Sequence, residues 1–191
     1  MKIISLHNNE KQLIKKSIKG DQQAQKLLYD KFSPKMLGVC RQYIKDLHFA
    51  EDVMINGFVK VFNNLSSFQY KGSFEGWIRT IMVRESISYL RKRQFVVYDD
   101  DALEGNGEIS PTNDSLLDLE YVQHLIDALP EGYKAVFLLY AIEGYGHKEI
   151  AAMLEISEGT SKSQLFKARR MLQENLSLKG MSPKSKSANK K

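Results

Sequence analysis

The sequence predicts an all-α protein built from two small helical domains joined by an acidic linker. Three observations carry that expectation. Over most of residues 10–97 and 119–176, apolar side chains recur at intervals of three and four, the period of an amphipathic helix. Between those blocks, residues 98–118 read YDDDALEGNGEISPTNDSLLD, a linker composition of acids, Gly, Asn, Ser and one Pro. At 191 residues with 42% apolar content, the chain has room for two small cores. The tail at 177–191, SLKGMSPKSKSANKK, is low-complexity and basic and is expected to be disordered.

Composition excludes several classes. No apolar run approaches a membrane span, and Lys2 is followed by only Ile3 and Ile4 before polar residues resume, unlike a signal peptide. No direct membrane insertion is expected, and a cytoplasmic location fits. Cys40 is the single cysteine; it falls on an apolar helical stripe and reads as a buried core thiol. His7, His48, His124 and His147 are scattered without zinc-type spacing, and no Gly-rich phosphate loop appears. Neither catalytic residues, metal ligands nor cofactors are therefore expected. The net charge of +5 is strongly segregated: residues 1–97 are basic, 98–120 hold acids and no base, and 177–191 hold lysines and no acid. Basic blocks separated by an acidic one point to several polyanion contacts.

In chain order, residues 10–32 look helical with a break at Gly20-Asp21, and Pro34 marks a further helix start. From there Met36, Val39, Cys40, Tyr43, Ile44 and Leu47 form one stripe. Ala50, Val53, Met54, Gly57, Phe58, Val61, Phe62 and Leu65 form the next. Off the second stripe lie Asp52, Ile55, Asn56 and Val59. Ile55 and Val59 are apolar, one turn apart, on the face where water should be. Another helix could cover them, but a small domain has few to spare, so a partner surface is expected.

The stretch Ser66–Phe74, SSFQYKGSF, is a polar and aromatic loop, and Ser73 is placed to cap a helix from Glu75 to about Arg93. Gln69, Tyr70, Lys71, Gly72 and Ser73, followed by Arg79, Arg84, Arg91, Lys92 and Arg93, could form a platform for unstacked bases above a phosphate clamp. Phe74 and Trp77 read as core. For Gln69–Ser73 the core-capping and base-binding readings stay open.

Helical pattern resumes with Leu119, Val122, Leu125, Ile126 and Leu129. Pro130 ends that helix, and Tyr133–Ile142 forms another, stopped by Gly144. His147–Leu154, the turn Glu155-Ile156-Ser157, and the helix that follows have the shape of a helix-turn-helix. Ser157 is its N-cap and Glu158 suits the positive end of the second helix. Ser161, Leu165, Ala168 and Leu172 make the inward stripe. Lys162, Ser163, Phe166, Lys167 and Arg170 share the outer face, with cations for phosphates, a hydroxyl for base edges and an aromatic for thymine methyls.

The ordered set AEDVMINGFVKVF at 50–62, SFEGWIRTIMVRESISYLRKR at 73–93 and ALPEGYKAVFLLYAIEGYGHKEIAAMLEISEGTSKSQLFKARRML at 128–172 closely resembles the extracytoplasmic-function (group four) sigma factors of bacterial RNA polymerase. The resemblance spans about residues 10–175. It implies that the chain binds core RNA polymerase and directs promoter recognition and opening, without being an enzyme. The helix around Asp52, Ile55, Asn56 and Val59 resembles region 2.2, which docks on the β′ clamp helices. Gln69–Ser73 and the helix to Arg93 resemble regions 2.3 and 2.4, which open the −10 element and hold a flipped base. Lys162, Ser163, Phe166 and Lys167 match positions that read the −35 element, and the rest of region 4 would contact the β flap. The linker would thread the polymerase interior. Many members are held by an anti-sigma partner, and nothing in this chain identifies one.

Three departures from the family pattern stand out. Ile55-Asn56 stands where an amide-then-acid pair is usual, Arg84 and Ser88 replace the usual Asn and Asp, and Glu155 takes a turn position usually held by Gly. The alternative within DNA binding is a conventional regulator that reads duplex without polymerase. It would leave the outer face of residues 50–65 and the loop at 69–73 without a role.

Overall fold

The computed structural model describes residues 3–94 and 117–178. Most of the acidic stretch at 98–118 and of the tail at 177–191 lies outside the described residues. Among those described there are eight α-helices, one 3-10 turn and no strand, so the all-α expectation holds. The helices fall into two compact units divided after Asp100.

The first unit holds α1 (Ile3–Ile18), α2 (Gln22–Tyr43), α3 (Leu47–Asn63), a 3-10 turn (Leu65–Ser67) and α4 (Phe74–Gln94). Its breaks have local causes. Gly20 sits at φ +84, where a side chain is strained, and Asp21 then caps α2 by accepting from the Ala24 N–H at 3.0 Å. Asp46 caps α3 in the same way through the Phe49 N–H at 3.2 Å.

Pro34 is a correction to the sequence reading. Instead of starting a helix, it lies inside a continuous α2. Proline deletes one intrahelical hydrogen bond and crowds the preceding turn. Here Pro34 is exposed, while Leu28 and Phe32 before it and Met36, Val39 and Cys40 after it are buried in one core. Each such burial is worth about 1.5–3 kcal/mol, so the anchored turns on both sides outweigh the defect.

That core joins α2 to Val53, Met54, Phe58 and Val61 of α3 and to Phe74, Ile78, Met82 and Ile87 of α4. The two later helices approach closely at Gly57: a Cβ there would lie 2.4 Å from the Met82 sulfur. Burial pushes the Cys40 thiol up to about 11, with the Ser86 side chain pulling weakly the other way. Cys40 is a core thiol, as its place on the stripe suggested.

The second unit holds α5 (Leu117–Asp127), α6 (Glu131–Ala141), α7 (His147–Leu154) and α8 (Glu158–Leu178). Leu125, Leu129, Val136, Leu139, Ile150, Leu165 and Ala168 build its core. Lys134 is also buried, and its ammonium donates to Asp127 Oδ1 at 2.5 Å, tying α5 to α6. Pro130 stands immediately before α6, which starts at Glu131, two residues earlier than the sequence pattern placed it. Among the described residues, no helix is long and apolar enough to cross a membrane.

Candidate nucleic-acid interface

In the second unit, α7 and α8 cross through a tight turn whose geometry is set residue by residue. Gly144 at φ +79 ends the approach from α6. Glu149 accepts from the Gly146 N–H at 2.8 Å and secures the start of α7. Glu155 then adopts φ 56 and ψ 40, the left-handed conformation, and the Ile156 N–H returns to the Ala151 carbonyl at 3.1 Å. The turn keeps the shape that a glycine would favour and is not reshaped around Glu155. Ser157 Oγ accepts from the Thr160 N–H at 2.9 Å, the expected cap of α8.

Inward, Ser161, Leu165 and Ala168 are buried and Leu172 is half-buried. Ser161 Oγ is 3.0 Å from His147 Nδ1, and the His147 ring stacks on Tyr140, so this cluster ties α6, α7 and α8 together. Outward, Lys162, Ser163, Phe166, Lys167 and Arg170 are all exposed, and Phe166 is 67% accessible.

Lys162 pairs with Glu158 at 2.7 Å and Arg170 with Glu174 at 2.7 Å, both one helical turn apart. The Lys162 ammonium holds the Glu158 carboxyl below its usual range. Exposed pairs of this kind are screened by solvent and contribute little, so either cation can turn to a phosphate at little cost. Lys167 lies over the Tyr133 ring, 5.7 Å from its centroid. Arg169, which the sequence reading left out, is exposed beside this face and lies over Tyr140 at 5.3 Å.

The first unit presents a second feature. Ser67, Phe68, Gln69, Lys71, Gly72, Ser73, Gly76, Trp77 and Thr80 line an open cleft of about 450 Å³. Four of the five loop residues singled out in the sequence are in its wall. Tyr70 is not. It sits at φ 58 with its ring 4.8 Å from the Phe68 ring and under the Lys11 ammonium. Ser73 Oγ accepts from the Gly76 N–H at 3.0 Å, so its hydroxyl also caps α4. Phe74 is core as expected, but Trp77 is only half-buried and forms part of the cleft.

The basic residues of α4 do not share one face of the helix. At about 100° per residue, Thr80, Arg84 and Arg91 fall within a narrow strip, about 16 Å long, running from the cleft. Arg79 and Lys92 fall on opposite flanks of that strip, roughly 100° or more from its centre. Arg84 and Lys92 are exposed; Arg79 and Arg91 are partly covered.

On α3, Asp52, Ile55, Asn56 and Val59 are exposed, with Ile55 at 49% and Val59 at 52%. Among the described residues of the unit, no helix covers them. His48 is exposed on the same strip and was missed, because a histidine adds nothing to an apolar pattern.

The order of these features matches known protein families. A model described as Sigma-70 region 2 matches residues 28–96, and one described as Sigma-70, region 4 matches residues 119–172. The chain belongs to the sigma-70 family. Several curated relatives of this sigma factor are named as ECF RNA polymerase sigma factors. The RNA polymerase sigma-H factor of Pseudomonas aeruginosa is 27% identical over 173 residues, covering 84% of this chain and 90% of its own. The ECF RNA polymerase sigma factor SigW of Bacillus subtilis is 27% identical over 179 residues, covering 87% and 96%. The ECF RNA polymerase sigma-E factor of Escherichia coli is 29% identical over 170 residues, covering 82% and 88%. Among solved structures, the sigma factor RpoE in complex with the anti-sigma factor NepR from Bartonella quintana is 25% identical, covers 80% of this chain and 96% of its own, and superposes with a TM-score of 0.49. CnrH in complex with the cytosolic domain of CnrY is 20% identical, covers 89% and 98%, and gives 0.47.

Proposed function

We propose that this sigma factor uses each of its two units for a different state of promoter DNA. The protein binds core RNA polymerase and directs it to promoters. Within that activity, we assign duplex reading at the −35 element to Lys162, Ser163, Phe166, Lys167 and Arg170. The single observation carrying this assignment is the fully presented outer face of α8, where cations, a hydroxyl and an open aromatic stand together while the opposite face is core.

The cleft takes the complementary role. A base leaving the −10 duplex needs an aromatic wall, polar groups for its edge and a cation for its phosphate. Trp77 and Phe68 supply the first, Gln69 and the loop backbone the second, and Lys71 with the Arg84 and Arg91 strip the third. Arg79 and Lys92, on the flanks of α4, are left to phosphates farther along the strand. The exposed Asp52, Ile55, Asn56 and Val59 face is assigned to the polymerase β′ clamp helices, joined by His48. Residues 10–97 thus act as region 2 and residues 119–176 as region 4, the latter also meeting the β flap. Such a factor works beside polymerase in the cytoplasm and does no chemistry of its own.

Run-off transcription with purified core polymerase on fragments of the source genome tests the reading. Transcripts that appear only with this protein, downstream of a shared two-part motif, are expected. Duplex binding without core binding and without new transcripts would make it a conventional regulator instead.

A further inference from the structure

Tyr70 is one of two non-glycine residues with positive φ among those described, and it is the one loop residue between Gln69 and Ser73 that does not line the cleft. A left-handed tyrosine is strained and persists only where its surroundings hold it. Two contacts do so. Its ring lies 4.8 Å from the Phe68 ring, which in turn packs on Phe74 and Trp77 at 5.2 and 5.6 Å. On the other side the Lys11 ammonium stands over the Tyr70 ring, 5.3 Å from its centroid and within cation–π range. Lys11 belongs to α1, which packs against the 3-10 turn leading into the loop and carries the buried Ile14. The region 2 match begins only at residue 28, so α1 is outside it.

We infer that Lys11 is a positioning residue for the cleft. By clamping the Tyr70 ring against Phe68, it holds the backbone reversal that turns Tyr70 away and leaves Gln69, Lys71 and Gly72 in the cleft wall. The inference rests on the proposed role of the cleft in taking an unstacked base. It gives α1 a part in reading single-stranded DNA without touching that strand.

Trp77 is the chain's single tryptophan and lines the cleft, so its fluorescence reports occupancy in the full chain. The probes are single-stranded 12-mers of each of the four deoxynucleotides, titrated into the wild type and into Lys11→Gln, Lys11→Arg, Tyr70→Leu and the Lys11→Gln/Tyr70→Leu double variant. The wild type should quench with at least one probe. Lys11→Gln should weaken that binding about two- to five-fold, the size of an exposed cation–π contact, and Lys11→Arg should restore it. In the Tyr70→Leu background, Lys11→Gln should have no further effect. Thermal unfolding of the single variants separates this from loss of the fold, since the midpoint followed by Trp77 should fall by no more than a few degrees and the transition should stay cooperative.

Wild-type quenching that is unchanged in Lys11→Gln overturns the positioning role and leaves the cleft reading intact. An equal loss on adding Lys11→Gln to Tyr70→Leu also overturns it, because Lys11 would then act directly on phosphate. Absence of quenching by all four probes in the wild type overturns the cleft reading and the inference together.

Discussion

Replacing Glu155 by glycine should stabilise the second unit, and the size of the effect follows from one backbone angle. Glu155 sits at φ 56, ψ 40, between α7 and α8. A residue with a Cβ costs about 1–2 kcal/mol in this region. Glycine removes that strain but frees the unfolded chain, which offsets about 0.4–1 kcal/mol. Glu155→Ala is the proper reference, because it removes the same side-chain interactions and keeps the strain. Relative to Glu155→Ala, Glu155→Gly should gain about 0.8 kcal/mol, or roughly 3–6 °C in midpoint for a unit of this size. The assay uses the placement of Trp77 in the first unit: its fluorescence follows that unit alone, whereas far-ultraviolet circular dichroism follows both. The Trp77 transition should stay fixed while the remaining helical transition moves up. If Glu155→Gly is no more stable than Glu155→Ala, the turn does not need a left-handed residue and the account given for the crossing of α7 and α8 fails.

Phe166→Ala and Lys162→Ala should each reduce use of the −35 element while leaving core polymerase binding unchanged; the lysine variant should also lower the salt dependence of duplex binding by about one counterion. Parallel loss of core binding in both would remove the assignment of α8. Asp52→Ala combined with Ile55→Asp should abolish co-purification with core polymerase without weakening duplex binding, and undiminished co-purification would clear the α3 face of that role. Cys40 yields a pH test. Its thiol holds its proton more tightly in the folded chain, so its contribution to stability is complete below the ordinary thiol value of about 9 and is lost as pH rises from there toward about 11. Denaturant midpoints across that window should fall less steeply in Cys40→Ala; an identical slope would mean the thiol is not held protonated by burial.

Much of this arrangement was legible in the residues. The α3 stripe, the caps at Ser73 and Ser157, and the two faces of α8 all follow from helical period and capping chemistry, which are local properties. Pro34 was misread because its local preference is a boundary, and the contrary force is tertiary: buried side chains on both sides hold the helix through it. Trp77 was assigned to the core because bulk and hydropathy do not distinguish a filled interior from a cleft wall. The basic residues of α4 were grouped by composition, whereas helical phase separates Arg84 and Arg91 from Arg79 and Lys92. Lys11 carried no signal at all, since a lysine on an exposed helix face is the commonest of patterns and its partner lies far along the chain.

Among the described residues, the two non-glycine residues with positive φ, Tyr70 and Glu155, both stand at chain reversals. Each comes just before a segment proposed above to meet nucleic acid: Tyr70 before the Lys71–Ser73 wall and α4, Glu155 before α8. Glycine at either position would remove the strain, yet would leave the reversal with more than one accessible shape. A side chain there is strained but can be gripped, as Phe68 and Lys11 grip Tyr70. A loop that must present Gln69 and Lys71 to one base gains from having a single conformation before the base arrives, since ordering it afterwards would subtract from binding. The same reasoning separates the two sites. At Glu155 the orientation of α8 is already held by Ile150, Ser161 and Leu165, so a glycine should raise stability and leave −35 binding unchanged. At Tyr70 the hold comes through the side chain itself, against Phe68 and under Lys11, so Tyr70→Gly should loosen the cleft and weaken single-strand binding even as it relieves strain.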